Sequence, residues 1–98
     1  MRNTYWTKSG WKLLKVVAFN AAEKSGFEST VMKVIEDALE VTKRVSLHPF
    51  SGVKTQNIYR EDRYYSTFNR GKVAVWRVDE NEIVFVGAYS SLPLELVV

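Results

Sequence analysis

The chain of 98 residues contains no cysteine and a single histidine. Without cysteine it has no disulfide and no thiolate metal site, and one histidine does not supply the ligand set of a zinc centre. We therefore expect neither a metal nor a cofactor. No apolar run approaches the roughly 18 residues that span a bilayer, and the first residues lack the apolar core of a signal peptide. These absences predict a cytoplasmic protein with no membrane segment.

The composition is that of a folded protein. Hydrophobic residues make up 46% of the chain and aromatic residues 13%, which is too much for a disordered chain. A length of 98 residues suffices for one domain over 1–98. The net charge is +3, but residues 1–24 and 52–77 are basic, whereas residues 78–98 are acidic. A basic middle segment fits contact with a polyanion and fits a solvated surface about equally well.

Apolar periodicity predicts two helices, over 9–26 and 27–46. In the first, one stripe is apolar: Trp11, Leu14, Val17, Ala18 and Ala21. The same segment can also be read as a buried strand over 12–19 followed by a short helix. In the second, the apolar stripe is Val31, Ile35, Ala38, Leu39, Thr42 and Val45. Ser25 with Glu28 fits a capping box, and His48-Pro49 should end the second helix.

The second half of the chain predicts antiparallel strands. Three are expected: 63–69, 72–78 and 83–89. A two-residue turn between the first two strands would place Asn69 opposite Lys72. Residues 2–6 are expected to form a further short strand, and residues 48–57 a loop. The sequence thus predicts an α+β domain, with a two-helix layer packed on a three- to four-stranded antiparallel sheet.

Both faces of this predicted sheet are apolar. The bulkier face carries a cross-strand row assigned to the helices: Tyr65, Trp76 and Phe85. The second face carries the residues expected to bind a partner: Phe68, Val73, Val75, Val84 and Val86. An exposed apolar patch of this size marks an interface. Either the tail LPLELVV (92–98) covers it, or an antitoxin or a second copy of the chain does.

Three stretches resemble parts of a known family: LHPFSG (47–52), YYSTFNRGKVAVWRV (64–78) and ENEIVFVGAYS (80–90). With the order of a short strand, a helical hairpin and antiparallel strands, they are similar to the RelE/ParE superfamily of bacterial toxins. The resemblance implies the toxin of a type II toxin–antitoxin module, acting on mRNA at the ribosome or on DNA gyrase, and checked by an antitoxin.

The chain departs from the mRNA-cleaving members of that family. Where those members carry basic residues and a tyrosine, this chain has Tyr65, Thr67, Val73, Ser91 and Leu92. Most of the ribonuclease set is missing, so we expect weak or no ribonuclease activity. The gyrase-poisoning members also lack that set, and the residues do not decide between the two targets.

Cleavage of RNA by its own 2′-hydroxyl needs a base, an acid and cations. The candidate catalytic residues are His48, Arg77 and Tyr89, each of which can equally be structural. The candidate nucleic-acid contacts lie in or beside loops: Lys54, Arg60, Arg63 and Arg70. Two other functions remain open, a non-enzymatic phage or plasmid protein that binds a host protein through its sheet, and a small RNA-binding module.

Overall fold

A computed structural model describes residues 2–96, so Val97 and Val98 of the predicted tail lie outside the described residues. The elements are β1 (Asn3–Trp6), α1 (Lys8–Ser25), α2 (Ser29–Leu47), β2 (Val53–Gln56), β3 (Asp62–Phe68), β4 (Lys72–Val78), β5 (Glu82–Tyr89) and a 3₁₀ turn at Leu94–Leu96. The five strands lie in the order β1-β5-β4-β3-β2. Strand β1 runs parallel to β5, and the other pairs are antiparallel. The α+β class is confirmed, but the sheet is mixed and has five strands.

Helix α1 confirms the helical reading of its segment. The Thr7 hydroxyl accepts a hydrogen bond from the Gly10 amide at 2.9 Å, so Thr7 caps the helix. The helix ends at Gly26 in a left-handed conformation, with φ of 77°, at the predicted last residue of the segment 9–26. The buried side chains lie on the predicted stripe: Leu14, Val17 and Ala18. A Cβ at Gly10 would lie 2.8 Å from the Phe85 carbonyl oxygen, so glycine lets α1 approach β5 closely.

Helix α2 ends before His48, as predicted, but its buried stripe is rotated. The buried side chains are Val34, Ala38, Val41 and Val45. Leu39, expected in the core, is 45% exposed. The predicted capping box of Ser25 and Glu28 is not formed. Glu28 itself is the N-cap residue of α2, and its side chain makes no capping hydrogen bond. The Ser25 hydroxyl instead bonds the Thr30 hydroxyl at 2.7 Å.

Strand β2 occupies part of the segment predicted as a loop, and that prediction is wrong. Its four residues pair with β3, with Val53 opposite Tyr65 and Gln56 opposite Asp62. The strand lies at the edge of the sheet and carries no buried side chain. Because neither of its faces is buried, it lacks the apolar alternation by which a strand is read from sequence.

The turn between β3 and β4 differs by one residue from the prediction. Phe68, not Asn69, lies opposite Lys72, so the turn has three residues. All three have positive φ: Asn69 (37°), Arg70 (61°) and Gly71 (82°). A one-residue slip exchanges the faces of a strand. Tyr64 and Phe68 therefore face the helices, and Tyr65 faces away from them.

Strands β4 and β5 pair as predicted at first, with Val78 opposite Ile83 and Trp76 opposite Phe85. The register then shifts by one residue, and Val75 lies opposite Gly87. This bulge leaves Val86 on the side away from the helices and returns Ala88 to the helix side. The predicted second face thus loses Phe68. We call the side turned away from the helices the outer face: Tyr65, Val73, Val75, Val84, Val86 and Tyr89.

The opposite side, the helix face, carries an aromatic row across four strands: Trp6, Phe85, Trp76 and Tyr64. Successive ring centroids lie 4.9, 5.4 and 6.2 Å apart. Trp76 and Phe85 are fully buried. The burial of Trp76 is confirmed, whereas its predicted neighbour Tyr65 is replaced by Tyr64 through the register slip. This row and the apolar sides of α1 and α2 form the main core.

Candidate functional site

The LHPFSG segment closes over the aromatic row. Trp76 donates its indole N–H to the Pro49 carbonyl oxygen at 2.9 Å, and Phe50 packs edge-on against Tyr64 with centroids 5.5 Å apart. A Cβ at Gly52 would collide with the Trp76 ring and lie 2.5 Å from the Tyr65 carbonyl oxygen. The proline, phenylalanine and glycine of this segment are therefore packing residues. His48 is exposed at the end of α2.

Arg77, the second catalytic candidate, is held by carboxylates. Its guanidinium lies 3.0 Å from Asp79 and 3.8 Å from Glu82, and the side chain is 36% exposed. These two carboxylates neutralise the positive charge of Arg77, so the guanidinium attracts a phosphate group only weakly. The Asp79 carboxylate also accepts the backbone amides of Asn81 and Glu82 at 2.9 and 2.7 Å, so the ion pair belongs to the β4–β5 turn.

Tyr89, the third candidate, lines a cleft of about 380 Å³ on the outer face, which we call the tyrosine cleft. Its walls are Asn57, Ile58, Tyr59, Arg63, Val75, Val86, Tyr89, Glu95 and Leu96. Burial, and to a smaller extent the charge of Glu95, raises the pKa of Tyr89 above its ordinary value. The phenol is therefore neutral at physiological pH and can donate a proton, but it is a poor base.

The three catalytic candidates do not converge. His48 follows a helix on one side of the sheet, whereas Arg77 and Tyr89 lie on the outer face near opposite ends of β5. Arg77 pairs with Val84, and five residues of strand separate Val84 from Tyr89, which is about 17 Å. Among residues 2–96 the Tyr89 hydroxyl has no hydrogen-bond partner. A base, an acid and a cation around one reacting atom are therefore not assembled from these residues.

The four predicted nucleic-acid contacts fall into two groups. Lys54, Arg60 and Arg63 lie on the β2–β3 hairpin, and Arg70 lies in the β3–β4 turn at the other end of β3. Lys54 is 3.7 Å from Asp62, and Arg63 is 3.7 Å from Glu61. The hairpin cations thus share their surface with two carboxylates.

Arg70 instead lies beside cations that the sequence reading missed. It lines a cleft of about 600 Å³, the basic cleft, between the α1–α2 junction and the β3–β4 turn. Its walls are Ala21, Lys24, Ser25, Phe27, Thr30, Lys33, Asn69, Arg70 and Lys72. The walls come from two segments of the chain, one ending at Lys33 and the other beginning at Asn69, with more than 35 positions between these two residues. No local pattern marks such a site, because only the docking of the turn on α2 brings the segments together.

The chain's own tail covers the centre of the outer face, which is one of the two covers that the sequence left open. Val73 and Val75 are each 2% exposed, and Leu96 packs on them at 6% exposure. The Thr55 hydroxyl donates to the Leu96 carbonyl oxygen at 2.7 Å and holds the turn in place. Val84 is also fully buried. A partner reaches Val73 and Val75 only by displacing Leu96.

Within residues 2–96 no cluster of three or more histidine, aspartate or glutamate side chains is placed to hold a metal ion. Neither helix of that part of the chain is long and apolar enough to cross a membrane.

Comparisons of the chain with protein families, curated proteins and solved structures find no match. The resemblance to the RelE/ParE superfamily therefore stays a prediction.

Proposed function

We propose that this protein is the toxin of a bacterial type II toxin–antitoxin pair, and that it stops growth by binding its target rather than by cutting RNA. The target lies in the translation apparatus or is DNA gyrase, and the protein acts in the cytoplasm. The observation that carries the proposal is the order of elements: a short strand, a helical hairpin, and antiparallel strands that follow it. That is the order expected from the resemblance.

The packing of the LHPFSG segment adds support. In this chain the segment covers Trp76, through the Pro49 carbonyl oxygen and the close approach of Gly52. These packing roles account for Pro49 and Gly52 without catalysis, which is what a resemblance in fold alone would require.

Binding without cleavage is favoured by the scattered catalytic candidates. His48 is exposed, Arg77 is paired with two carboxylates, and Tyr89 has a raised pKa in a separate cleft. General acid–base catalysis requires its groups within hydrogen-bond reach of the same substrate. Positions that carry the ribonuclease residues in the cutting members also hold Thr67 and Val73 here.

An antitoxin or a second copy that uses the outer face has to replace the tail. Leu96 occupies the position over Val73 and Val75 that such a partner would take. The antitoxin segment is expected to carry an apolar side chain at that position, because burial of a Leu-sized group is worth about 2 kcal/mol.

The test is induced expression in a bacterium, with growth, protein synthesis and DNA supercoiling followed together. We expect growth to stop, with a loss of either translation or supercoiling. The variant Tyr89→Phe keeps the ring and removes the hydroxyl, so it should inhibit growth as strongly as the wild type.

Normal growth on induction of soluble protein would refute the toxin proposal. Ribosome-dependent cleavage of mRNA by the purified protein, abolished in Tyr89→Phe, would refute the statement that it acts without cutting. The two results are independent, because the first is measured in cells and the second with purified components.

A further inference from the structure

The basic cleft collects positive charge that the fold does not neutralise. Lys33 is paired with Asp37 at 2.9 Å, but among residues 2–96 Lys24, Arg70 and Lys72 form no ion pair within 4 Å. The Lys72 ammonium group donates to the carbonyl oxygen and the side-chain oxygen of Asn69, at 3.0 and 2.9 Å. These bonds hold it at the wall of the cleft. Burial first, then the charges of Arg70 and Lys24, lowers the pKa of Lys72, and the charge of Asp37 opposes this shift without cancelling it.

Such a cluster is unfavourable in the free protein. Like charges at short range repel, and the lowered pKa of Lys72 reports that repulsion together with desolvation. An anion in the cleft would remove the repulsion, and a phosphate group offers several acceptors for ammonium and guanidinium donors.

The β3–β4 turn presents its cation at a conformational cost. Arg70 has φ of 61°, in the left-handed region, where glycine or asparagine is accommodated more easily than arginine. Asn69 fixes the turn, because its side-chain amide donates to Asp37 of α2 at 2.8 Å. The anchored turn thus holds Arg70 at the wall of the basic cleft.

An aromatic side chain stands beside these charges. Phe27 lines the basic cleft and is 68% exposed, so most of its ring surface is accessible. On its other side a shallow groove carries Glu23 and Glu28. Phosphates are therefore favoured only on the side of Phe27 that faces Lys24 and Arg70.

We propose that the basic cleft binds single-stranded nucleic acid, with phosphates at Lys24, Arg70 and Lys72 and a base stacked on Phe27. Exposed aromatic rings beside a cationic groove bind single strands, because every unpaired base offers a ring face and paired bases do not. The site goes beyond the proposed growth inhibition and does not depend on it.

The test measures binding of fluorescently labelled oligouridine and oligothymidine single strands to the purified full chain over a range of salt concentrations. The affinity of the wild type should fall steeply with salt. Neutralising both exposed cations in Lys24→Gln/Arg70→Asn should weaken binding at least tenfold and flatten the slope of log K against log salt by about 1.4, at about 0.7 for each lost phosphate.

The matched control is Lys12→Gln/Lys15→Gln, which removes the same charge from exposed positions on α1. Lys12 and Lys24 are twelve helical residues apart, about 18 Å, so this variant should bind nearly as the wild type does. Phe27→Ala should weaken single-strand binding about tenfold without changing the salt slope, because stacking neutralises no phosphate.

Four results would overturn the proposal: no binding by the wild type, equal loss in the two double variants, an unaffected Phe27→Ala, or equal affinity for a duplex of the same length. Each variant is first checked for an intact thermal transition. Arg70→Asn relieves the left-handed strain and should unfold no earlier than the wild type, so its loss of binding cannot be a loss of fold. Oligouridine and oligothymidine together distinguish RNA from DNA as the ligand.

Discussion

The two faces of the sheet are both apolar, yet they are covered in very different ways. The helix face is buried by helices of 18 and 19 residues, around an aromatic row that crosses four strands. The centre of the outer face is covered by a 3₁₀ turn of three residues, with Leu96 on Val73 and Val75. Burial of apolar area stabilises in proportion to that area. The helix face therefore carries the global stability of the domain, and the outer face carries a local closure.

The largest effect is expected at the centre of the helix face. Trp76→Ala should lower the free energy of unfolding by about 3–5 kcal/mol, because it empties the middle of the aromatic row. Denaturant unfolding measures the change. Tyr59→Ala is the control, since Tyr59 is 76% exposed and its loss should cost under about 0.5 kcal/mol. If Trp76→Ala and Tyr59→Ala lowered the free energy of unfolding equally, Trp76 would not be a core residue of the helix face.

A second test of the helix face adds atoms instead of removing them. Gly52→Ala places a methyl group against the Trp76 ring and the Tyr65 carbonyl oxygen. We expect a loss of up to about 3 kcal/mol from overpacking, since a backbone oxygen cannot move aside. The neighbouring exposed Ser51→Ala should be nearly neutral. A neutral Gly52→Ala would mean that the LHPFSG segment does not press on the aromatic row.

On the outer face the loss should be smaller and local. Leu96→Ala is expected to cost about 2 kcal/mol, the low end for a buried leucine, because the tail can settle onto the cavity. Methyl resonances of Val73 and Val75 should shift, while the Trp76 indole resonance should not. Leu94, 88% exposed in the same turn, provides the control Leu94→Ala. If both leucine variants behave alike, the tail does not seal the face.

The smallest effect belongs to neither face. Hydrogen bonds from the backbone amides of Asn81 and Glu82, then the Arg77 side chain, lower the pKa of Asp79 below its ordinary value. The folded-state pKa is thus below that of the unfolded chain, so the carboxylate stabilises the fold above about pH 4, and this contribution is lost as the pH falls through the folded-state pKa. Asp79→Asn should flatten the acid limb of the stability profile, whereas Glu80→Gln should leave it unchanged. An acid limb unaltered in Asp79→Asn would exclude this turn as its source.

Much of the fold could be predicted from local pattern. The ends of β3, β4 and β5 lie within a residue of the prediction, and α2 ends before His48 as the following proline requires. Strand β2 was missed because an exposed edge strand has no apolar alternation. The β3–β4 register was missed because three consecutive left-handed residues, two of them not glycine, have no reliable signature in sequence.

The candidate sites were less predictable. The sequence identified Arg70 and Tyr89 as chemistry-bearing residues, but it placed Arg70 with the cations of the β2–β3 hairpin. The one-residue slip moved Phe68 from the expected partner surface into the main core. Proximity between Lys24 and Lys72 depends on how a turn packs on a helix, and residue spacing does not encode it.

By itself, the sequence determined the class of this protein: an α+β domain with two amphipathic helices and antiparallel hairpins, since each depends on periodicity and turn chemistry within a few residues. Tertiary structure alone decided which tyrosine faces the helices, that Leu96 packs on the outer face, and that four cations and Phe27 line one cleft. These outcomes depend on contacts between residues that are distant in the chain. Such contacts form only when the whole domain folds, so no short stretch of sequence reveals them.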